Sequence, residues 1–115
     1  MKLNLVVIRT KEPQLLVEQY KMLGLTFDYH KHGNGPFHFA SEVDGFVFEI
    51  YPFTKSMDKA DGSLRLGFEV DNLHEVIDSI KDSDWKITQE IKETEWGLVA
   101  VIQDLDGRKI ELKNR

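Results

Sequence analysis

Residues 44–52 read Asp44-Gly45-Phe46-Val47-Phe48-Glu49-Ile50-Tyr51-Pro52. Asp44-Gly45 marks a turn, and the alternation after it marks a strand. Successive strand side chains point to opposite faces, so Phe46, Phe48 and Ile50 form a buried face while Val47, Glu49 and Tyr51 share the other. The same spacing returns 62 residues later as Asp106-Gly107 followed by Glu111. Upstream, Leu5–Tyr20 lies over Arg65–Ile80 at an offset of 60, which matches Ile8 with Phe68, Leu16 with Val76 and Tyr20 with Ile80. A small loop difference between two copies accounts for the two-residue drift. Twin D-G-x-x-x-E motifs together with the apolar match indicate a duplicated unit.

Each copy reads β-α-β-β-β. In the first, Leu3–Ile8 is a strand and Glu12-Pro13 opens a helix, since Pro at the first helical position loses no needed N–H. Leu16, Tyr20 and Leu23 fall on one helical face, and Gly24 ends the helix. Leu25, Phe27 and Tyr29 alternate as a strand, Gly33-Asn34-Gly35-Pro36 turns, and Phe37–Ala40 and Phe46–Tyr51 follow as strands. Pro52 to Ser63 is polar and lacks apolar periodicity. In the second copy Leu64, Leu66, Phe68 and Val70 alternate as a strand. Asn72 with Glu75 forms a capping-box pattern, and Leu73, Val76, Ile77 and Ile80 make an apolar helix stripe. Trp85–Thr88, Leu98–Ile102 and Lys109–Leu112 supply three strands. The organisation expected is module one 1–53, linker 54–63 and module two 64–115, an α+β fold.

Composition excludes several function classes. The chain has 115 residues, enough to bury a core without a metal or disulfide. It has no cysteine, hence no disulfide framework, no Cys-ligated metal and no thiol nucleophile. Lys and Arg total 15 against 20 Asp and Glu, a net charge of −5, which argues against nucleic acid or an anionic membrane as partner. No apolar run approaches a membrane span, and Met1 leads straight into a strand-like pattern, so a cytoplasmic protein is expected.

Parity selects the candidate site residues. Arg65, Gly67 and Glu69 point away from the second helix, as do Lys109 and Glu111, while Ile110 and Leu112 pack inward. If the two half-sheets face each other, Glu49, Glu111 and Arg65 look into one cleft. If the hairpin turns through Glu42–Gly45, positions summing to 87 sit opposite, which pairs His38 with Glu49. An imidazole facing a carboxylate makes an acid/base pair or a cross-strand ion pair. His30-x-His32, with no third ligand nearby, reads as an exposed strand end, and His74 as a solvated helix residue. Trp96, before Gly97, reads as a cleft wall or a packing anchor. No Walker-type loop, G-x-G-x-x-G, G-x-S-x-G or H-E-x-x-H pattern occurs.

Two tandem βαβββ units of this length resemble the vicinal oxygen chelate superfamily, the glyoxalase / bleomycin-resistance / extradiol dioxygenase group. The resemblance spans 1–115 and is carried by LVVIRTKEPQLLVEQYKMLGLTF (5–27), FVFEIYP (46–52) and VIQDLDGRKIEL (101–112). It implies modules paired into a half-open barrel around a cleft, and commonly a homodimer. In metal-using members, the first and last strands of each repeat supply four ligands to a Lewis-acidic metal. Carried over, those positions are Leu5, Glu49, Arg65 and Glu111. The carboxylates match; Leu5 has no donor, and the Arg65 cation repels a divalent metal. No cofactor is therefore expected, and a divalent metal on His38, Glu49 and Glu111 is the alternative.

Three functions fit the resemblance. The chain binds a small molecule in the cleft without transforming it, with Tyr51, Trp96 and Phe37 as aromatic lining and Arg65 as anion anchor. Alternatively it is a glyoxalase-like lyase, isomerase or dioxygenase using His38, Glu49 and Glu111. The third possibility is a noncatalytic interaction module. Loss of two metal-ligand positions favours the first.

Overall fold

The computed structural model describes all residues, 1–115. The chain divides into two units, Met1–Asp61 and Gly62–Arg115. Each carries one β-α-β-β-β set, and residues 53–65 carry neither helix nor strand.

In the first unit β1 (Leu5–Thr10) leads to α1 (Pro13–Lys21), then β2 (Asp28–His30), β3 (His38–Val43) and β4 (Phe46–Pro52). Pro13 occupies the start of α1 as expected, and Gly24 lies beyond its end at φ +103°. The predicted stripe is the core: Leu16 and Tyr20 are fully buried and Leu23 nearly so, against Ile8, Phe48 and Ile50. Tyr20 and Phe48 meet at 5.2 Å between ring centroids. Burying each such aliphatic or aromatic side chain stabilises the fold by about 1.5–3 kcal/mol. The sheet order is β1-β4-β3-β2, with β1 and β4 parallel and the other pairs antiparallel.

The second unit repeats this plan in β5 (Leu66–Val70), α2 (Leu73–Ile80), β6 (Lys86–Thr94), β7 (Gly97–Gln103) and β8 (Lys109–Asn114). Its order is β5-β8-β7-β6, again with the first pair parallel. The chain is thus α+β with two tandem βαβββ modules. Asn72 caps α2 as predicted, its Oδ1 accepting the Glu75 N–H at 3.2 Å. Asn114 of β8 accepts the Leu73 N–H at 2.8 Å, satisfying a second free donor of the helix start. Leu73, Ile77 and Ile80 pack inward with Trp85, Ile102, Ile110 and Leu112.

Several strand boundaries shift from expectation, among them β1, which is Leu5–Thr10 rather than Leu3–Ile8, and β3, which is His38–Val43 rather than Phe37–Ala40; two shifts are instructive. β2 is only Asp28–His30: Leu25 and Phe27 are half-buried but lie ahead of the ladder, which begins at Asp28–Ala40. β6 runs to Thr94, well past Thr88, with irregular register between Ile87 and Gln89 and between Gln89 and Lys92. An edge strand with one wet face carries polar residues such as Glu90 and Lys92, which hides its length from hydrophobic pattern.

Candidate functional site

The β3–β4 hairpin sets the site. Asp44 and Gly45 both have positive φ, +53° and +79°, the backbone of a two-residue turn whose twist matches the flanking strands. Val43 therefore pairs with Phe46 and Ala40 with Glu49, a register whose positions sum to 89. The predicted pairing of His38 directly opposite Glu49 is corrected by two residues, because the turn uses two residues rather than four. A two-residue shift preserves parity. His38 stays on the Glu49 face, and continuing the register by one step brings it opposite Tyr51.

On that face, away from α1, β1 contributes Leu5, Val7 and Arg9, β4 contributes Glu49 and Tyr51, and β3 contributes His38. His38 Nε2 lies 3.3 Å from Glu49 Oε2, with side chains 1% and 13% exposed. The imidazole stacks on the Tyr51 ring at 4.1 Å and 7° between planes. The Arg9 guanidinium covers Tyr51 from 4.8 Å, held by an N–H donated to the Pro52 carbonyl at 3.0 Å. A cation over an electron-rich ring is attractive, more so as water is excluded.

His30 and His32 are not the isolated strand end expected of them: His32 is exposed, but His30 is half-buried and both rings lie near His38. His30 pairs with His38 across β2 and β3, and its ring meets His38 edge-on at 4.5 Å. The chain then turns at His32–Gly35, where the Gly35 N–H reaches the His32 carbonyl at 2.9 Å and Gly33 has φ +57°. That turn carries the His32 ring to 5.2 Å from His38 and 4.9 Å from His30. The third imidazole was His38 itself, and the overlooked signal was H-x-H followed across a glycine turn by a further His.

The remaining predicted residues lie as follows. Phe37 joins Tyr29, stacked at 4.9 Å, rather than Tyr51. With Phe39, Pro13, Gln14 and Pro52 this pair lines an open depression of about 660 Å³ beside the start of α1. Phe39 faces the α1 side with its ladder partner Ile50, so this depression is separate from the histidine cluster. In the second unit Glu111 is exposed between Gly67 and Val101, and Arg65 is exposed just ahead of β5. Trp96 occupies the β6–β7 turn at 69% exposure, so it is not a packing anchor, and its backbone N–H is donated to Thr94 Oγ1 at 3.1 Å. His74 is exposed on α2, as expected.

The four positions of the family's usual metal do not fit one here. Leu5 offers no donor atom, and Arg65 brings a fixed cation.

Residues 2–112 match the model of the Glyoxalase/Bleomycin resistance protein/Dioxygenase superfamily, and the chain belongs to that family. Among solved structures, it is similar to TnmS3, an antibiotic binding protein from Streptomyces sp. CB03234. The TM-score is 0.78 at 18% identity, over 99% of this chain and 95% of that one. TioX from Micromonospora sp. ML1 gives 0.73 at 16% identity, over 99% and 98% of the two chains. A glyoxalase I variant from Zea mays gives 0.79 at 20% identity over 99% of this chain, which spans 44% of the maize protein. A comparison with curated proteins gives no match. No helix is long and apolar enough to cross a membrane.

Proposed function

We propose that the chain is a small-molecule binding protein of this family that does not use the family's four-position metal. The carrying observation is the polar and aromatic group on the face of the first sheet away from α1. Arg9 lies on Tyr51, Tyr51 on His38, and His38 against Glu49. A few convergent polar groups beside a stacking surface are what a site for a planar ligand requires. Likeness to an antibiotic binding protein supports the same reading. The chain works as a homodimer in the cytoplasm.

One observation favours a second reading. His38 and Glu49 at 3.3 Å form a unit able to take and return a proton, as a lyase or isomerase needs. The two readings part on turnover. A panel of planar aromatic carboxylates is titrated into the protein, and each bound compound is recovered and weighed by mass spectrometry. The binding reading expects saturable binding and unchanged compound. Conversion that Glu49→Gln abolishes would establish the enzyme instead.

A further inference from the structure

We infer that His30, His32, His38 and Glu49 form a binding site for a zinc-class divalent metal within the first module. Their ligand atoms, three imidazole nitrogens and a carboxylate oxygen, all lie within 4.8 Å of one another. In a tetrahedral site with zinc–ligand bonds of about 2.0–2.1 Å, neighbouring ligand atoms stand roughly 3.4 Å apart. The His38–Glu49 edge already has this length, 3.3 Å. The other edges are at most 4.8 Å, and closing them needs side-chain movements of His30 and of His32, the latter exposed on a turn containing Gly33 and Gly35.

The surroundings of His38 give a second, independent reason. Its Nδ1 faces the Pro36 carbonyl at 3.3 Å and its Nε2 faces the Glu49 carboxylate at 3.3 Å. Both partners are acceptors, and a neutral imidazole has one N–H. With that hydrogen on Nδ1, donated to Pro36, the Nε2 lone pair points at a carboxylate oxygen. A cation between the two atoms, a second proton or a metal, satisfies that arrangement, whereas the other tautomer donates Nε2–H to Glu49 and leaves the Nδ1 lone pair facing the Pro36 carbonyl. Tyr51 does not supply a proton to Nε2. Its hydroxyl is 3.4 Å from Nε2, but the rings are nearly parallel, so the hydroxyl lies above the imidazole plane rather than on the in-plane lone pair. Fixing one ring nitrogen on a backbone carbonyl so that the other is free to ligate is the usual support of a metal-bound histidine. Three imidazoles and one carboxylate suit zinc and its borderline neighbours rather than magnesium or calcium.

Only Glu49 is common to this site and the family's four positions. The site also differs from the His38, Glu49 and Glu111 set considered from sequence, since all four donors come from one module. It goes beyond the binding reading, with which it shares His38 and Glu49, and is tested apart from it, because the metal is measured with no organic ligand present. Untagged, chelator-treated protein is titrated with Zn²⁺ against a chromophoric chelator and with Co²⁺ by visible spectroscopy. Expected are one equivalent per chain, the intense visible bands of tetrahedral Co²⁺, and a rise in melting temperature with Zn²⁺. His32→Ala, at an exposed position that the fold does not need, weakens Zn²⁺ binding at least tenfold. His38→Gln abolishes it, and His74→Ala leaves it unchanged. Absence of binding would overturn the inference, leaving a proton between His38 and Glu49. Binding indifferent to His32→Ala and His38→Gln, or lost in His74→Ala, would overturn it equally.

Discussion

Arg108 is 1% exposed, an unusual burial for a guanidinium, and it is held by two carboxylates. Its Nη1 donates to Asp104 Oδ2 at 3.1 Å and to Asp106 Oδ2 at 2.9 Å. Asp104, itself buried, also accepts the backbone N–H groups of Asp106 and Arg108, so this one carboxylate closes the turn into β8. Burial alone pulls the Arg108 pKa down. The Asp106 hydrogen bond and the Asp104 charge outweigh it, and the pKa is pushed up from its ordinary value. A raised folded-state pKa on a base gives stability that is present below the unfolded-state pKa and lost only above the folded one. That window lies beyond any working alkaline pH, so Arg108 stays charged throughout. Removing it strands Asp104: Arg108→Ala is expected to lower unfolding free energy by about 3–5 kcal/mol in a urea titration. A loss below 1 kcal/mol would show that water reaches Asp104. The twin D-G-x-x-x-E motifs were legible in sequence. This ion-paired turn around the second one was not, because exposed and buried arginines look alike in a string of residues.

At the scale of elements, the β3–β4 hairpin decides which side chains meet. Alternation in Phe46–Tyr51 assigned each residue to its face correctly, since parity survives any even change of register. The partner of Glu49 was not legible, because it depends on whether two or four residues make the turn. Gly45 at φ +79° sustains the shorter turn. Gly45→Ala places a Cβ in that left-handed conformation and is expected to cost about 1–2 kcal/mol, seen as a lower melting temperature. An unchanged melting temperature would mean that the turn relaxes to another form. The His30–His32 cluster was hidden for a related reason: β2 and β3 are too short to announce their pairing, and a glycine turn brings His32 back by a path that periodicity does not encode.

Across the whole molecule, the duplication read from residues 5–20 and 65–80 reappears as two sheets of identical strand order and sense. The copies have diverged in chemistry. The first gathers three histidines, Glu49, Tyr51 and Arg9, while the second devotes its D-G turn to the buried Arg108 pair. Strand β1 lies at a sheet edge and exposes Leu5 and Val7 at 46% and 40%, with Leu3 just ahead of it at 68%. Apolar side chains along an open edge favour pairing with a second copy. Light scattering at micromolar concentration is expected to give the mass of two chains, and the mass of one chain would contradict the homodimer. The central claim is that a small molecule binds at the Arg9–Tyr51–His38–Glu49 face. Its most direct test is equilibrium binding of a planar aromatic carboxylate selected from the panel, compared between the native chain and Tyr51→Ala. The account predicts at least a tenfold loss of affinity in a Tyr51→Ala protein that remains folded by circular dichroism. Equal affinity in the two proteins would contradict it.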